Sequence, residues 1–213
     1  THAIGYLARD LRALLERLRP ELELNAPHIE PIEDGPHLGN VLRYHLRQPS
    51  HHGMDVHQAS YAGSCFPDLV GARLLPSFSP RRLLEELPGF RLRDVFSIVD
   101  LEPEPLVEAT DDALRWVGVA RLADLVASVF ALPPGLPGAS DATTRARTLA
   151  AVVARRVGLR LSDLGSVLEI TRQAVSQLSR RPAADHDVLA LRRRLALEEV
   201  VRGVGLRYPV ADS

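Results

Sequence analysis

Apolar residues in this chain recur at three- and four-residue intervals and are cut repeatedly by proline, a combination that permits helices of limited length and little else. In residues 4–18, Ile4, Leu7, Leu11, Leu14, Leu15 and Leu18 share one side, with Arg9, Asp10, Arg12, Glu16 and Arg17 opposite and Pro20 just beyond. That spacing predicts an amphipathic helix. Leu38, Val41, Leu42 and Leu46 repeat the pattern after a candidate cap, Asp34, and the helix is expected to end before Pro49. Residues 49–71 are rich in turn formers and histidine and predict an ordered loop with at most short turns. Ser79 followed by Pro80 opens a short helix that Pro88 and Gly89 stop, and another is expected over residues 92–99. The strict alternation of a half-buried strand appears nowhere, nor does an internal repeat, so the fold is expected to be mainly α-helical.

Further along, Thr110, Asp111 and Asp112 form an acid-rich, capped helix start, and the apolar pattern then runs to about Leu132. The run Pro133, Pro134, Gly135, Leu136, Pro137, Gly138 reads as a linker and places a domain boundary there. Beyond it the pattern predicts a helix near 143–157, two short helices around 162–180 and a long one over 187–202.

Charge separates the same two regions. Residues 1–140 carry 13 Arg against 19 acids, and residues 141–213 carry 13 Arg against 8, so the acidic and basic halves nearly cancel to the net −1 of the whole. Every cation is Arg. The basic end is the part expected to meet an anionic partner. One cysteine, Cys65, leaves no second thiol for a disulfide or a cysteine-rich zinc site, which fits a reducing cytoplasm. The longest apolar stretch, 125–132, is too short to cross a bilayer, and no membrane role is expected. The sequence starts at Thr1 rather than Met and is expected to be a fragment or a trimmed product.

Residues 161–178, LSDLGSVLEITRQAVSQL, carry a helix-turn-helix pattern. Leu164, Leu168, Ile170, Val175 and Leu178 supply its apolar positions, Gly165 sits where two helices must approach, and Thr171 can cap the second helix. Arg172, Gln173, Ser176, Gln177 and Arg180 are left facing outward. Arginine pairs with guanine, glutamine with adenine and serine with phosphate oxygens, so Thr171 to Arg181 form the expected DNA-binding segment. Arg155, Arg156, Arg160, Arg181 and Arg192 to Arg194 are expected to add phosphate contacts. Glu169 stands where glycine is usual in the turn, which predicts a wider turn. The pattern resembles the helix-turn-helix of bacterial repressors and of the replication initiator's DNA-binding domain; the alternative is a plain helical bundle with a solvated polar face.

Tyr44 and Gln48 lie four apart, neighbours if one helix carries both. The run Pro31, Ile32, Glu33, Asp34, Gly35, Pro36, His37, Leu38 to Tyr44, then Gln48, Pro49, His52, Gly53, Tyr61 and Ser64, resembles the tail of the transposase domain of REP-associated tyrosine transposases and related single-tyrosine HUH transposases. The resemblance covers roughly residues 28–75. It implies that Tyr44 attacks a single-stranded DNA phosphate to give a 5′-phosphotyrosine and that Gln48 helps hold Mg²⁺ or Mn²⁺. It also implies a His-apolar-His pair upstream of the tyrosine; only His2, His28 and His37 precede Tyr44, so this chain alone is expected to lack the complete metal site.

The organisation that follows is a transposase-like part at 1–75, a helical connecting region at 76–132, the linker at 133–142 and a helix-turn-helix domain at 143–213. The expected partner is DNA, hairpin or single-stranded at Tyr44 and duplex at the helix-turn-helix, in a bacterial, nucleoid-associated protein, with monomer and homodimer both open. A non-catalytic regulator or domesticated relic, and a helical module that binds no nucleic acid, are the competing readings. His51, His52 and His57 are expected to serve structure or face solvent, being strand-like neighbours that point apart. Cys65 is expected to be a buried thiol, and Trp116 to follow the core-like periodicity of its helix.

Overall fold

A computed structural model describes residues 12, 13, 15–17, 21, 31–61, 63–75, 85, 91–101 and 108–203. The helices expected over 4–18 and 79–87 fall largely outside them. Ten helices lie wholly within the described residues, which contain no strand, so the chain is mainly α-helical. In chain order they are α1 (Gly35–Leu46), α2 (Gln48–His51), α3 (Phe66–Leu69), α4 (Leu92–Ile98), α5 (Asp111–Trp116), α6 (Gly118–Val129), α7 (Asp141–Arg156), α8 (Leu161–Val167), α9 (Arg172–Leu178) and α10 (Asp185–Val201). None is long and apolar enough to cross a membrane.

Side-chain caps fix several starts by taking up N–H groups that the first turn leaves unpaired. Asp34 Oδ1 accepts from His37 N–H at 2.7 Å, Thr110 Oγ1 from Ala113 N–H at 3.2 Å, and Ser140 Oγ from Thr143 N–H at 3.1 Å. The loop expected over 49–71 contains two single-turn helices, α2 and α3. The long helix expected from Asp111 to Leu132 is broken at Gly118, which takes a left-handed φ of +74°. That break ends the phase relation between its two halves and leaves Trp116 87% exposed, outside the core its spacing predicts.

Two apolar clusters hold the helices. The larger is built from α5 to α10 and includes Leu114, Leu122, Val126, Leu149, Val153, Leu164, Leu168, Val175 and Leu191. The smaller joins Leu42 and Leu46 of α1, Phe66 and Leu69 of α3, and Val95, Phe96 and Ile98 of α4. Phe66 and Phe96 meet edge to face with ring centroids 5.3 Å apart, and burying an aromatic ring of this size contributes about 2–3 kcal/mol. Arg47 Nε ties α1 to α4 by donating to Ile98 O at 3.2 Å.

Helix α10 serves both clusters: Leu191 and Leu195 enter the larger and Leu197 the smaller. Covered from more than one side, it carries apolar residues around its circumference rather than along one stripe. Leu74 N–H donates to Val129 O at 2.7 Å and Arg193 Nη1 to Val70 O at 3.4 Å, further links between the two parts.

The proline-rich segment does not divide the chain as its composition predicts. Leu136 in its middle is fully buried in the larger cluster, and α6 before it packs on α7 after it. Positive φ angles at Gly135, Leu136 and Gly138 turn the backbone sharply enough to bring that leucine inward. The segment is a tight connection within one core.

Candidate nucleic-acid interface

Helices α8 and α9 pack on each other and on α7, with α6 behind α8. Leu164, Leu168 and Val175 are fully buried between them, while Ile170 and Leu178 are partly buried. The close approach depends on Gly165: a Cβ placed there would lie 2.9 Å from Ile170 O and 3.5 Å from Val175 Cγ2. Thr171 caps α9, its Oγ1 accepting from Ala174 N–H at 3.2 Å.

The turn is tight, not widened. Glu169 adopts the left-handed conformation itself, with φ +52°, and the backbone closes through Leu168 N–H to Leu164 O at 2.9 Å and Ile170 N–H to Gly165 O at 3.0 Å. Those bonds satisfy carbonyls at the end of α8, as a glycine would allow at lower strain.

This frame displays one side of α9. Arg172, Gln173, Gln177 and Arg180 are exposed and Ser176 is half-buried, and together they line a shallow open depression. Thr171 and Arg181 are exposed at its two ends. Arg172, Arg180 and Arg181 have no ion-pair partner among the described residues, nor do Arg155 at the end of α7 and Arg160 at the start of α8.

The other arginines expected to grip phosphate are occupied. Asp111 accepts from Arg192 Nη2 at 2.5 Å and from Arg156 Nε at 2.8 Å. Arg193 lies on Val70 O, and Arg194 Nε donates to Glu198 at 3.0 Å, where Arg202 joins at 3.3 Å and Arg121 also pairs. Arg192 to Arg194 are therefore struts of α10. Arg145 is similarly held: Asp187, buried at the start of α10, accepts from its Nε at 2.8 Å and Nη2 at 2.5 Å, and these bonds push the guanidinium pKa up from its ordinary value.

Tyr44 is 46% exposed on α1. The helix carrying it stops at Leu46 and Gln48 opens α2, so the two residues sit on successive helices, and no hydrogen bond joins them. The ring of Tyr44 instead meets His51 at 5.4 Å and His45 at 5.8 Å between centroids, both edge to face. His51 and His52 are also neighbours, at 5.2 Å, because this segment is a helical turn and its end rather than a strand. His57 Nδ1 accepts from Ala59 N–H at 3.1 Å. Among the described residues no three His, Cys, Asp or Glu side chains gather into a metal-binding group.

Cys65 is partly buried against the smaller cluster, and burial raises its thiol pKa, with the Asp68 carboxylate adding to the effect. Asp68 is itself paired with Arg73. Comparison with family models, with curated proteins and with solved structures finds no match for this chain.

Proposed function

We propose that this chain binds duplex DNA sequence-specifically through α9. One observation carries the reading: Arg172, Gln173, Ser176, Gln177 and Arg180 line one depression on a helix held by a tight turn, and its arginines have no carboxylate partner among the described residues. Duplex DNA offers what such a face lacks. Arginine can take guanine O6 and N7 together, glutamine can take adenine N6 and N7, and phosphates can satisfy Arg180 and Arg181. The test is selection of a preferred duplex from a random library, followed by anisotropy titrations over a range of salt. Tight, salt-dependent binding that Arg172→Ala weakens supports the reading; binding unchanged by Arg172→Ala and Arg180→Ala overturns it.

A second reading follows from the resemblance of residues 28–75 to the tail of single-tyrosine transposases, and the exposure of the Tyr44 phenol favours it. It makes Tyr44 a nucleophile toward single-stranded DNA, joined to the 5′ phosphate with release of the 3′ hydroxyl. Mass spectrometry after incubation with a single-stranded oligonucleotide and Mn²⁺ tests it. A covalent adduct that Tyr44→Phe abolishes supports this reading, and an adduct that survives the substitution removes Tyr44 from the chemistry.

A further inference from the structure

Trp116 is the chain's single tryptophan, and from residue 93 to 199 it is the sole large apolar side chain left exposed among the described residues. It sits on a fixed mount. Arg115, beside it, donates Nε to Val157 O at 2.6 Å, and at the other end of α5 Asp111 holds Arg156 of α7 and Arg192 of α10. The mount therefore meets the turn between α7 and α8, the turn that leads into the helix-turn-helix. Arg155 and Arg160, on either side of that turn, are exposed. Arg115 is not free in the same way, since Asp112 lies 3.5 Å from its Nη1.

We propose that Trp116, Arg155 and Arg160 form a second DNA contact, on duplex flanking the stretch read by α9. The two arginines meet phosphates, and the indole lies against the sugar wall of the groove. This inference rests on the duplex-binding reading. The surroundings favour a polyanion over a second copy of the chain: a stable protein interface is built around a continuous apolar centre, whereas the exposed side chains where α5 meets the turn at Val157 are charged, Asp112 and Arg115 on α5 and Arg155, Arg156 and Arg160 on either side of Val157. Tryptophan combines a large apolar face with a rigid frame, which suits it to a flat sugar or base surface beside cations.

Because there is one tryptophan, its emission reports this contact alone. The selected duplex, with flanks and trimmed to the bases under α9, is titrated into the whole chain while anisotropy and tryptophan emission are followed together. The expected result is quenching that tracks binding of the flanked duplex and is smaller on the trimmed one. Trp116→Ala is expected to weaken the flanked complex about tenfold and leave the trimmed one unchanged. Arg155→Ala and Arg160→Ala are each expected to reduce the slope of log affinity against log salt by about one. Full binding with unaltered emission, and an affinity of Trp116→Ala for the flanked duplex equal to that of the unsubstituted chain, overturn this inference and leave α9 reading intact. Absence of duplex binding at every salt concentration removes both. Emission that shifts with protein concentration before DNA is added assigns the indole to self-association and overturns the proposal.

Discussion

The arginines of α9 and those of α10 are the same residue type in the same basic region, yet they meet opposite surroundings. Arg192, Arg193 and Arg194 reach a carboxylate or a carbonyl within 3.4 Å, and they fasten α10 to α5, to the segment after α3 and to itself. Arg172 and Arg180 reach neither among the described residues and line the open side of α9. A surplus of positive charge along a sequence is therefore not the same as a positive surface. Charge still lacking a partner after folding marks the face available to a ligand, while paired charge is already committed to the fold.

The widest separation is expected from paired variants. Arg172→Ala with Arg180→Ala should reduce affinity for the selected duplex about 100-fold without changing the melting temperature. Arg192→Ala should do the reverse, lowering stability and leaving the affinity of the folded protein unchanged. Anisotropy and thermal melts on both proteins check the contrast, and a loss of DNA affinity with Arg192→Ala would break it.

Next in size is Gly165→Ala. The added methyl gains helix propensity but meets Ile170 O at 2.9 Å, and the expected net loss is about 1–2 kcal/mol. Denaturant melts measure it, and unchanged stability would mean that α8 and α9 can separate freely. Asp111→Asn should cost about 1 kcal/mol, a modest value because the carboxylate is 37% exposed and partly screened. Glu169→Gly should stabilise by about 0.5–1 kcal/mol by relieving the left-handed backbone, and a loss instead would assign the glutamate side chain a contact of its own.

The smallest effect concerns Cys65. Its raised pKa keeps the folded thiol protonated at pH values where the unfolded thiol has begun to ionise, so the folded state holds more protons there. Stability is expected to fall slightly as pH rises past the unfolded thiol's value of about 8.5, and Cys65→Ser should remove that component of the pH dependence. Stability curves of the two proteins from pH 7 to 10 supply the check.

Features set by neighbouring residues are legible in the sequence: the caps at Asp34, Thr110 and Thr171, the limits of α4 and α7 to within two residues, and Gly165 at the close approach. Features decided by distant parts of the chain are not. A proline-rich run looks like a linker until Leu136 finds a cavity between helices to fill. Gly118 resembles a tolerated helix residue until its φ is known, and with it the exposure of Trp116 changes. The fate of Arg192 depends on Asp111, 81 positions away, which no periodicity can reveal. The outward side chains of α9 are readable because a short amphipathic helix declares its own buried side. The partners of Tyr44 are not, because a break at Arg47 decides which ring it meets.

Helix α10 has a consequence for modularity. With Leu191 and Leu195 in one cluster and Leu197 in the other, α10 completes the part that carries α8 and α9 and is also a wall of the part before it. Residues 143–213 moved alone onto another protein would carry α10 away with its flanks stripped, and α8 away from α6. The segment that carries α8 and α9 is not a detachable cassette: protein engineering that transplants it must carry α5 and α6 along, or exchange only the side chains on the open side of α9.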